Sequence, residues 1–399
     1  MVLFTNLYYS YCNSRKILLT HMNSFSGRLL FSIFVTLAHL TVPAVEEPSR
    51  WKPLDELGKK AISSPNIPGA SIHVVEGGKT VFQQSYGVLH AGSDKPWKIN
   101  TPVSIASITK PITATLVAVL VQEKKLFFDD PISKHIPEYS KLKLRDGTAV
   151  RSPTIAECLS HTSGFPGGNM GDLPRNSPIR KANQAEVAKM IARRGLAAKP
   201  GKRYAYTFRG YAAVARCVEV VTGKRFAEVL DEKLLKPLGM TGTAFMPSLK
   251  VLKQHPRYAR QIVTSSDEEV KAVISKRRKD LERFVSSSGG LVSTSADLVK
   301  FMRLHALDGK TKDKQMISGD VLARLYKSAP GAREYGLGFK RMAEGVVGHG
   351  GASGTRAVVD LENDLVVVIL TQAGSKNARP LIGGGHKLAM EILAQKNKK

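Results

Sequence analysis

A serine three residues ahead of a lysine, Ser107-Ile108-Thr109-Lys110, stands at the head of a run that is apolar nearly all round, Pro111 followed by Ile112 to Leu120. Residues three apart share one face of a helix, so the spacing sets the Lys110 amine beside the Ser107 hydroxyl. A serine hydroxyl is a poor nucleophile until a base takes its proton. Desolvation and the positive end of a helix both favour a neutral, basic lysine amine. The chemistry suggested is nucleophilic attack by Ser107. The same spacing recurs at Ser49/Lys52 and Ser140/Lys143, in polar, turn-rich stretches that do not run into an apolar helix. A capping serine beside a solvated lysine would also fit, so context along the chain has to decide.

Three further stretches carry candidate groups. Leu159-Ser160-His161-Thr162-Ser163-Gly164 reads as a helix end closed by a glycine turn, shaping a site rather than reacting in it. Pro200-Gly201-Lys202-Arg203-Tyr204-Ala205-Tyr206-Thr207-Phe208 places tyrosines after a turn and just ahead of a helix, where a phenol is aimed into a cleft or packed in the core. Gly348-His349-Gly350-Gly351-Ala352-Ser353-Gly354 lies ahead of a strand. Glycine-rich backbone there lets a ligand approach closely and offers bare N–H groups. The amides of Ala352 and Ser107 are candidate donors to an oxyanion.

The elements that must hold these groups follow from pattern. Trp51 to Ile62 has helical spacing, and Ala70–Val75 and Thr80–Val88 read as a hairpin turning at Glu76-Gly77-Gly78-Lys79. Beyond the Ser107 helix, strand signals are sparse for about 150 residues. Helices are expected at Thr154–Leu159, Gln184–Arg193, Gly210–Thr222, Phe226–Leu235 and Asp267–Arg283. Strands return at Tyr335–Arg341, Thr355–Leu361 and Leu365–Thr371, and a last helix spans Ile382–Gln395. The expected class is α+β: one antiparallel sheet of two early and three late strands, flanked by the N- and C-terminal helices, with a large helical lobe inserted. The sheet lobe takes residues 45–129 and 286–399, and the helical lobe 130–285. Ser107 falls where the lobes meet, a usual place for a pocket.

Composition limits the alternatives. The chain has 399 residues, 42% of them hydrophobic, enough for one large domain or two small ones. Leu29 to Leu40 is too short an apolar run to span a bilayer comfortably. With Arg28 before it and Val42-Pro43-Ala44 after it, the run reads as a secretory leader over 1–44, the alternative being an uncleaved anchor. The expected location is therefore periplasmic or secreted, with no stable membrane span if the leader is removed. Cys12 would leave with that leader, and Cys158 and Cys217 sit in apolar helical contexts that favour buried thiols over a bridge. No Cys/His cluster has metal-ligand spacing, so no metal or cofactor is expected. The formal net charge is +27, which suits anionic surroundings such as envelope polymers. Nucleic acid is disfavoured, because the basic residues are dispersed apart from Lys276–Lys279 and no binding motif accompanies them.

Taken in order, Ser-x-x-Lys, His-Thr-Ser-Gly, Pro-Gly-x-x-x-x-Tyr, Ser-Gly-Gly-Leu-x-Ser-Thr (Ser288 to Thr294) and His-x-Gly resemble the serine β-lactamase-related superfamily, within it the class C β-lactamases, D,D-peptidases and family VIII esterases. The resemblance runs from about Leu54 to the C-terminus and implies a β-lactamase/transpeptidase-like fold. It implies Ser107 as the acylated nucleophile, Lys110 as holder of the proton network, and Tyr206 as general base and then acid. It also implies His349 as a binder of substrate carboxylate or modulator of Tyr206, with Gly351, Ala352 and the Ser107 amide at the oxyanion site. One departure matters: where these enzymes usually read Tyr-x-Asn, the chain reads Tyr206-Thr207-Phe208. A site that has lost an amide partner discriminates less for amide substrates, and Gly350 likewise lacks the family's threonine hydroxyl. The expected activity is an exported serine hydrolase on a small-molecule or peptide acyl substrate, esterase-like or a broad acyl hydrolase. The alternatives are a D,D-peptidase or weak β-lactamase, and an inactive relative binding anionic polymers.

Overall fold

The strand Leu365–Thr371 is apolar from Leu365 to Leu370 because helices cover both its faces. In the computed structural model, which describes residues 49–174, 176–245, 284–332 and 334–396, Val366, Val368 and Leu370 join one hydrophobic cluster. Leu365, Val367 and Ile369 join a second cluster on the opposite face. Such a strand loses the alternation of a half-exposed one.

The helices are α1 (Lys52–Ile62), α2 (Thr109–Gln122), α3 (Ile155–Leu159), α4 (Gln184–Arg193), α5 (Phe208–Thr222), α6 (Phe226–Leu230), α7 (Ser295–Ala306), α8 (Gly319–Tyr326) and α9 (Ser375–Lys396). A π-helical turn, Asp231–Leu235, extends α6. The strands are β1 (Gly69–Glu76), β2 (Lys79–Gly87), β3 (Val103–Ser104), β4 (Val292–Ser293), β5 (Lys340–Ala343), β6 (Val346–Gly351), β7 (Thr355–Asp360) and β8 (Leu365–Thr371). Six of them form one antiparallel sheet in the order β2-β1-β8-β7-β6-β5, and β3 pairs with β4 alone. The first and last parts of the chain therefore meet at β1 and β8. On one face α1 and α9 pack together over β1 and β8; on the other, α7 lies across β8, β7 and β1. Between α2 and α7 in sequence come α3 to α6, with α5 packed against α2, α3, α4 and α6.

The α+β class and the flanking helices are as the patterns imply, and several details differ. There are four late strands in the sheet, because the glycine-rich stretch expected ahead of a strand lies largely in a strand itself, β6. The first late strand begins at Lys340 and not at Tyr335. The helices α7 and α8 were not anticipated, and α9 begins at Ser375, ahead of Pro380. Cys158 and Cys217 are free and buried. The leader, the Asp267–Arg283 helix and the Lys276–Lys279 cluster lie outside the described residues.

Candidate active site

Every residue from Thr109 to Leu120 is buried, and Lys110 is the one charged side chain among them, 2% exposed. Pro111 sits in the first turn of α2, where its missing N–H would have had no partner within the helix. Ahead of α2 a 3₁₀ turn, Ala106–Ile108, carries Ser107. Ala106 has φ +45°, a left-handed conformation that costs a non-glycine residue about 1–2 kcal/mol. Its surroundings impose that conformation. Ile105 N–H donates to Leu291 O at 3.0 Å, Thr355 Oγ1 donates to Ile105 O at 3.2 Å, and the Ser353 hydroxyl donates to Ser104 O. Gly351 completes the contact, since a Cβ there would sit 2.3 Å from Ile105 O. The end of β6 is thus glycine because it lies directly on the turn before Ser107.

The Ser288–Thr294 stretch holds the same turn from the other side. Lys110 Nζ donates to Ser288 O at 2.8 Å, Thr113 Oγ1 to Ser287 O at 2.6 Å, and Leu291 N–H to Thr109 Oγ1 at 3.2 Å. Val103 and Ser104 pair with Ser293 and Val292.

Tyr206 is brought to this turn by His161. The His161 carbonyl accepts from Ala205 N–H at 2.8 Å, and its Nδ1 accepts from Thr207 N–H at 3.2 Å, so the main chain and the ring of His161 each hold the backbone on one side of Tyr206. That bond makes Nε2 the protonated nitrogen, and Nε2 is buried without a partner. The Tyr206 carbonyl accepts from Gly168 N–H at 3.0 Å, and Thr207 then caps α5 by accepting from Arg209 N–H at 3.2 Å. The rings of His161 and Tyr206 lie 4.3 Å apart.

The three groups meet at one oxygen. Tyr206 Oη donates to Ser107 Oγ at 2.8 Å, and Lys110 Nζ lies 3.3 Å from the same atom. The Lys110 amine stands 4.5 Å from the centre of the Tyr206 ring and 5.4 Å from that of Tyr211. Burial, with the positive charge of Lys340 second, lowers the Lys110 pKa to about 7. Burial raises that of Tyr206 to about 12, against a smaller opposing effect of its bond to Ser107. The resting arrangement near neutrality is therefore a protonated phenol donating to Ser107 Oγ and an amine free to accept the serine proton for a large share of the time.

His349 is held on both ring nitrogens. It lies in β6 with Nδ1 2.7 Å from Gly350 O and Nε2 3.1 Å from Tyr335 Oη. A carbonyl only accepts, so Nδ1 carries the proton and Nε2 accepts a hydrogen bond from the Tyr335 hydroxyl. Burial and the neighbouring Lys110 charge push its pKa well below the usual imidazole value. A buried, neutral imidazole with both nitrogens engaged cannot bind a substrate carboxylate as a cation. Its ring centre is 6.5 Å from that of Tyr206. Phe208 is also not where its spacing suggests. It is buried in the hydrophobic core with the Arg209 guanidinium 4.8 Å over its ring, offering the cleft no polar group. Ala352 follows β6 and is exposed, with its carbonyl accepting from Ser375 N–H at 2.9 Å.

Tyr335 is a site residue that spacing did not reveal. It is buried beside His349, 5.0 Å from His161 and 6.4 Å from Tyr206 between ring centres, and nothing local in its sequence marks it. Among the described residues, no cluster of His, Cys, Asp and Glu could hold a metal ion.

Residues 52–384 match the family described as Beta-lactamase. The chain is 23% identical over 390 residues to the D-alanyl-D-alanine-carboxypeptidase/endopeptidase AmpH of Escherichia coli (strain K12), covering 92% of this chain and 96% of that protein. Among solved structures it is similar to EstCE1, a hydrolase with promiscuous acyltransferase activity (TM-score 0.68, 17% identity, 85% of this chain and 98% of that one). It is also similar to a family VIII carboxylesterase (TM-score 0.62, 18% identity, 85% and 97%). These structures share the fold.

Proposed function

The chain belongs to the β-lactamase family and is a serine hydrolase, and from that premise we propose that it is exported and cleaves esters through an acyl-enzyme on Ser107. The observation that carries the reading is the convergence of Tyr206 Oη and Lys110 Nζ on Ser107 Oγ, at 2.8 and 3.3 Å. Export rests on the Leu29–Leu40 leader pattern.

The geometry supports the following course. Neutral Lys110 takes the Ser107 proton as Oγ attacks the acyl carbon. The N–H groups of Ser107 and Ala352 receive the oxyanion. As the C–O bond to the leaving group breaks, Tyr206 passes its proton to the departing alkoxide. That transfer is downhill, because an aliphatic alcohol is a weaker acid than a phenol with a pKa near 12. Water then attacks the acyl-enzyme and gives a proton to the Tyr206 phenolate. Serine leaves the acyl carbon and recovers its proton from the Lys110 ammonium. Lys110 is thus the base of acylation, while Tyr206 serves as acid first and base second.

Ester chemistry is favoured by what the cleft lacks. Phe208 supplies no amide to hold a peptide or lactam, and His349 supplies no cation for a terminal carboxylate. The likeness in fold to a family VIII carboxylesterase points the same way. A D,D-peptidase is the second reading, favoured by the similarity to AmpH over nearly the full length. Turnover of a short-chain p-nitrophenyl ester, a penicillin and a D-alanyl-D-alanine-terminated peptide, measured side by side, decides between them. We expect the ester to be cleaved with a kcat/KM at least about 100-fold above the others, well within the roughly 10⁴–10⁵-fold that a built-in polar partner can contribute to discrimination. A peptide or penicillin cleaved faster than the ester overturns the ester assignment.

The proton role of Tyr206 has a separate test. Tyr206→Phe should lower kcat on an alkyl ester by about 10²–10⁴-fold, the usual contribution of a positioned acid–base group. The loss should be much smaller for acylation by a p-nitrophenyl ester, whose leaving group needs no proton. Equal losses on both in pre-steady-state acylation would assign Tyr206 to positioning Ser107.

A further inference from the structure

A groove of about 730 Å³ lies between the C-terminal end of α4 and the turn-rich stretch 140–147, and none of the residues around Ser107 lines it. Six of its ten lining residues are cations, Lys141, Lys143, Arg145, Lys189, Arg193 and Arg194, all exposed. The single carboxylate, Glu138, is already taken by Lys189 at 3.4 Å. The whole chain carries 60 Lys and Arg against 33 Asp and Glu, so a ratio of six to one is a local concentration and not the average surface. Among the described residues, Lys141, Lys143, Arg145, Arg193 and Arg194 form no ion pair.

The groove is built, and is not a chance meeting of side chains. Leu196 N–H donates to Lys143 O at 2.9 Å, and Leu144 runs parallel beside Leu196, which ties the two walls together at the floor. Gly195 makes that approach possible: its φ is +64°, and a Cβ there would stand 2.5 Å from Lys143 O. Arg193 and Arg194 stand at the end of α4, where the helix dipole favours cations. The fold thus holds five unpaired positive charges together, an arrangement an anion relieves.

The lining also says which anion. It contains no aromatic residue on which a base could stack, which disfavours a single-stranded nucleic acid. Its apolar side chains are only Leu144 and Ala192, too little to enter a bilayer. Three arginines present the planar fork that suits phosphate oxygens. We propose that this groove binds a linear, base-free polymer of phosphate groups, independently of the chemistry at Ser107.

The test uses long-chain inorganic polyphosphate as the probe, with an oligothymidylate of matched charge beside it, and binding read by anisotropy at several salt concentrations. The variant Lys143→Gln/Arg145→Gln/Arg193→Gln is compared with Lys310→Gln/Lys312→Gln/Lys314→Gln, three exposed cations that do not line the groove. All six changes are on the surface, where each usually alters stability by less than about 0.5 kcal/mol, and thermal melting checks this. We expect the groove variant to bind polyphosphate at least about tenfold more weakly and to lower the slope of log K against log salt by about two to three, while the distal variant changes little. Equal losses in the two variants would assign binding to diffuse charge and overturn the proposal. Oligothymidylate binding more tightly than polyphosphate would overturn it in favour of nucleic acid, and an unchanged groove variant would overturn it outright.

Discussion

Alanine at position 107 abolishes ester turnover, lowering kcat by about 10⁴-fold or more, the size of loss seen when a serine nucleophile is removed from a cooperating set. The reason is geometric. Ser107 Oγ is the atom on which Tyr206 Oη and Lys110 Nζ converge, and without it neither group has an acceptor or donor to act upon. The change should leave the fold standing. Ser107 is only partly buried, Lys110 keeps its bond to Ser288 O at 2.8 Å, and the turn is held by the backbone of Ile105 and Leu291 and by the Thr355 hydroxyl, none of which the Ser107 side chain supplies. Intact mass after brief exposure to a slowly turned-over ester should show one acyl group on the parent protein and none on Ser107→Ala, at equal melting temperatures. Turnover by Ser107→Ala within tenfold of the parent would remove Ser107 from its proposed role. A parent protein without adduct or turnover would favour the inactive, polymer-binding alternative.

The parts of this site legible in the sequence are those set by local geometry. The Ser107–Lys110 spacing is a helical step, and the start of α4 is marked by a capping box in which Asn183 and Glu186 exchange bonds. Tyr206 is placed by a turn and a helix start, both of which leave marks in composition. What could not be read was set by packing at long sequence separation. The β6 stretch looks like a loop because glycine is poor in strands, and the demand that overrides this, the approach of Gly351 to Ile105, comes from a residue 246 positions earlier. The burial of His349 depends on Tyr335, and the seating of Tyr206 depends on His161, and neither dependence has a spacing rule. The motif at His161 reads as shaping the site, but that its carbonyl and its ring hold the backbone on either side of Tyr206 is visible only in three dimensions. Phe208 stood in for an absent asparagine in the linear comparison, whereas the structure buries it at the first turn of α5.

Lys110→Met should abolish acylation and stabilise the protein at once. A lysine whose pKa falls from 10.5 to about 7 on folding binds fewer protons in the native than in the unfolded state between those values. Stability therefore rises with pH from about 7 to about 10.5; below pH 7 the cost of the buried amine is present in full, and above 10.5 it is gone. Near neutrality that cost is about 4 kcal/mol. Methionine fills similar volume without the charge, but it leaves Ser288 O without its donor at a cost of about 1–3 kcal/mol. The net gain expected at pH 7 is about 1–3 kcal/mol, seen as a melting temperature a few degrees higher that no longer climbs from pH 7 to 10 on this group's account. Activity should move the other way, by about 10²–10⁴-fold. In the parent protein, kcat/KM should rise with pH through about 7 and level off, because only the neutral amine takes the serine proton. If the phenolate of Tyr206 were the base of acylation, the rise would continue toward pH 12, and Lys110→Met would retain that limb. A melting temperature that falls by several degrees would make the lysine a structural tie. A rise in stability together with lost activity would show that the fold tolerates a destabilising buried amine because Ser107 requires one beside it.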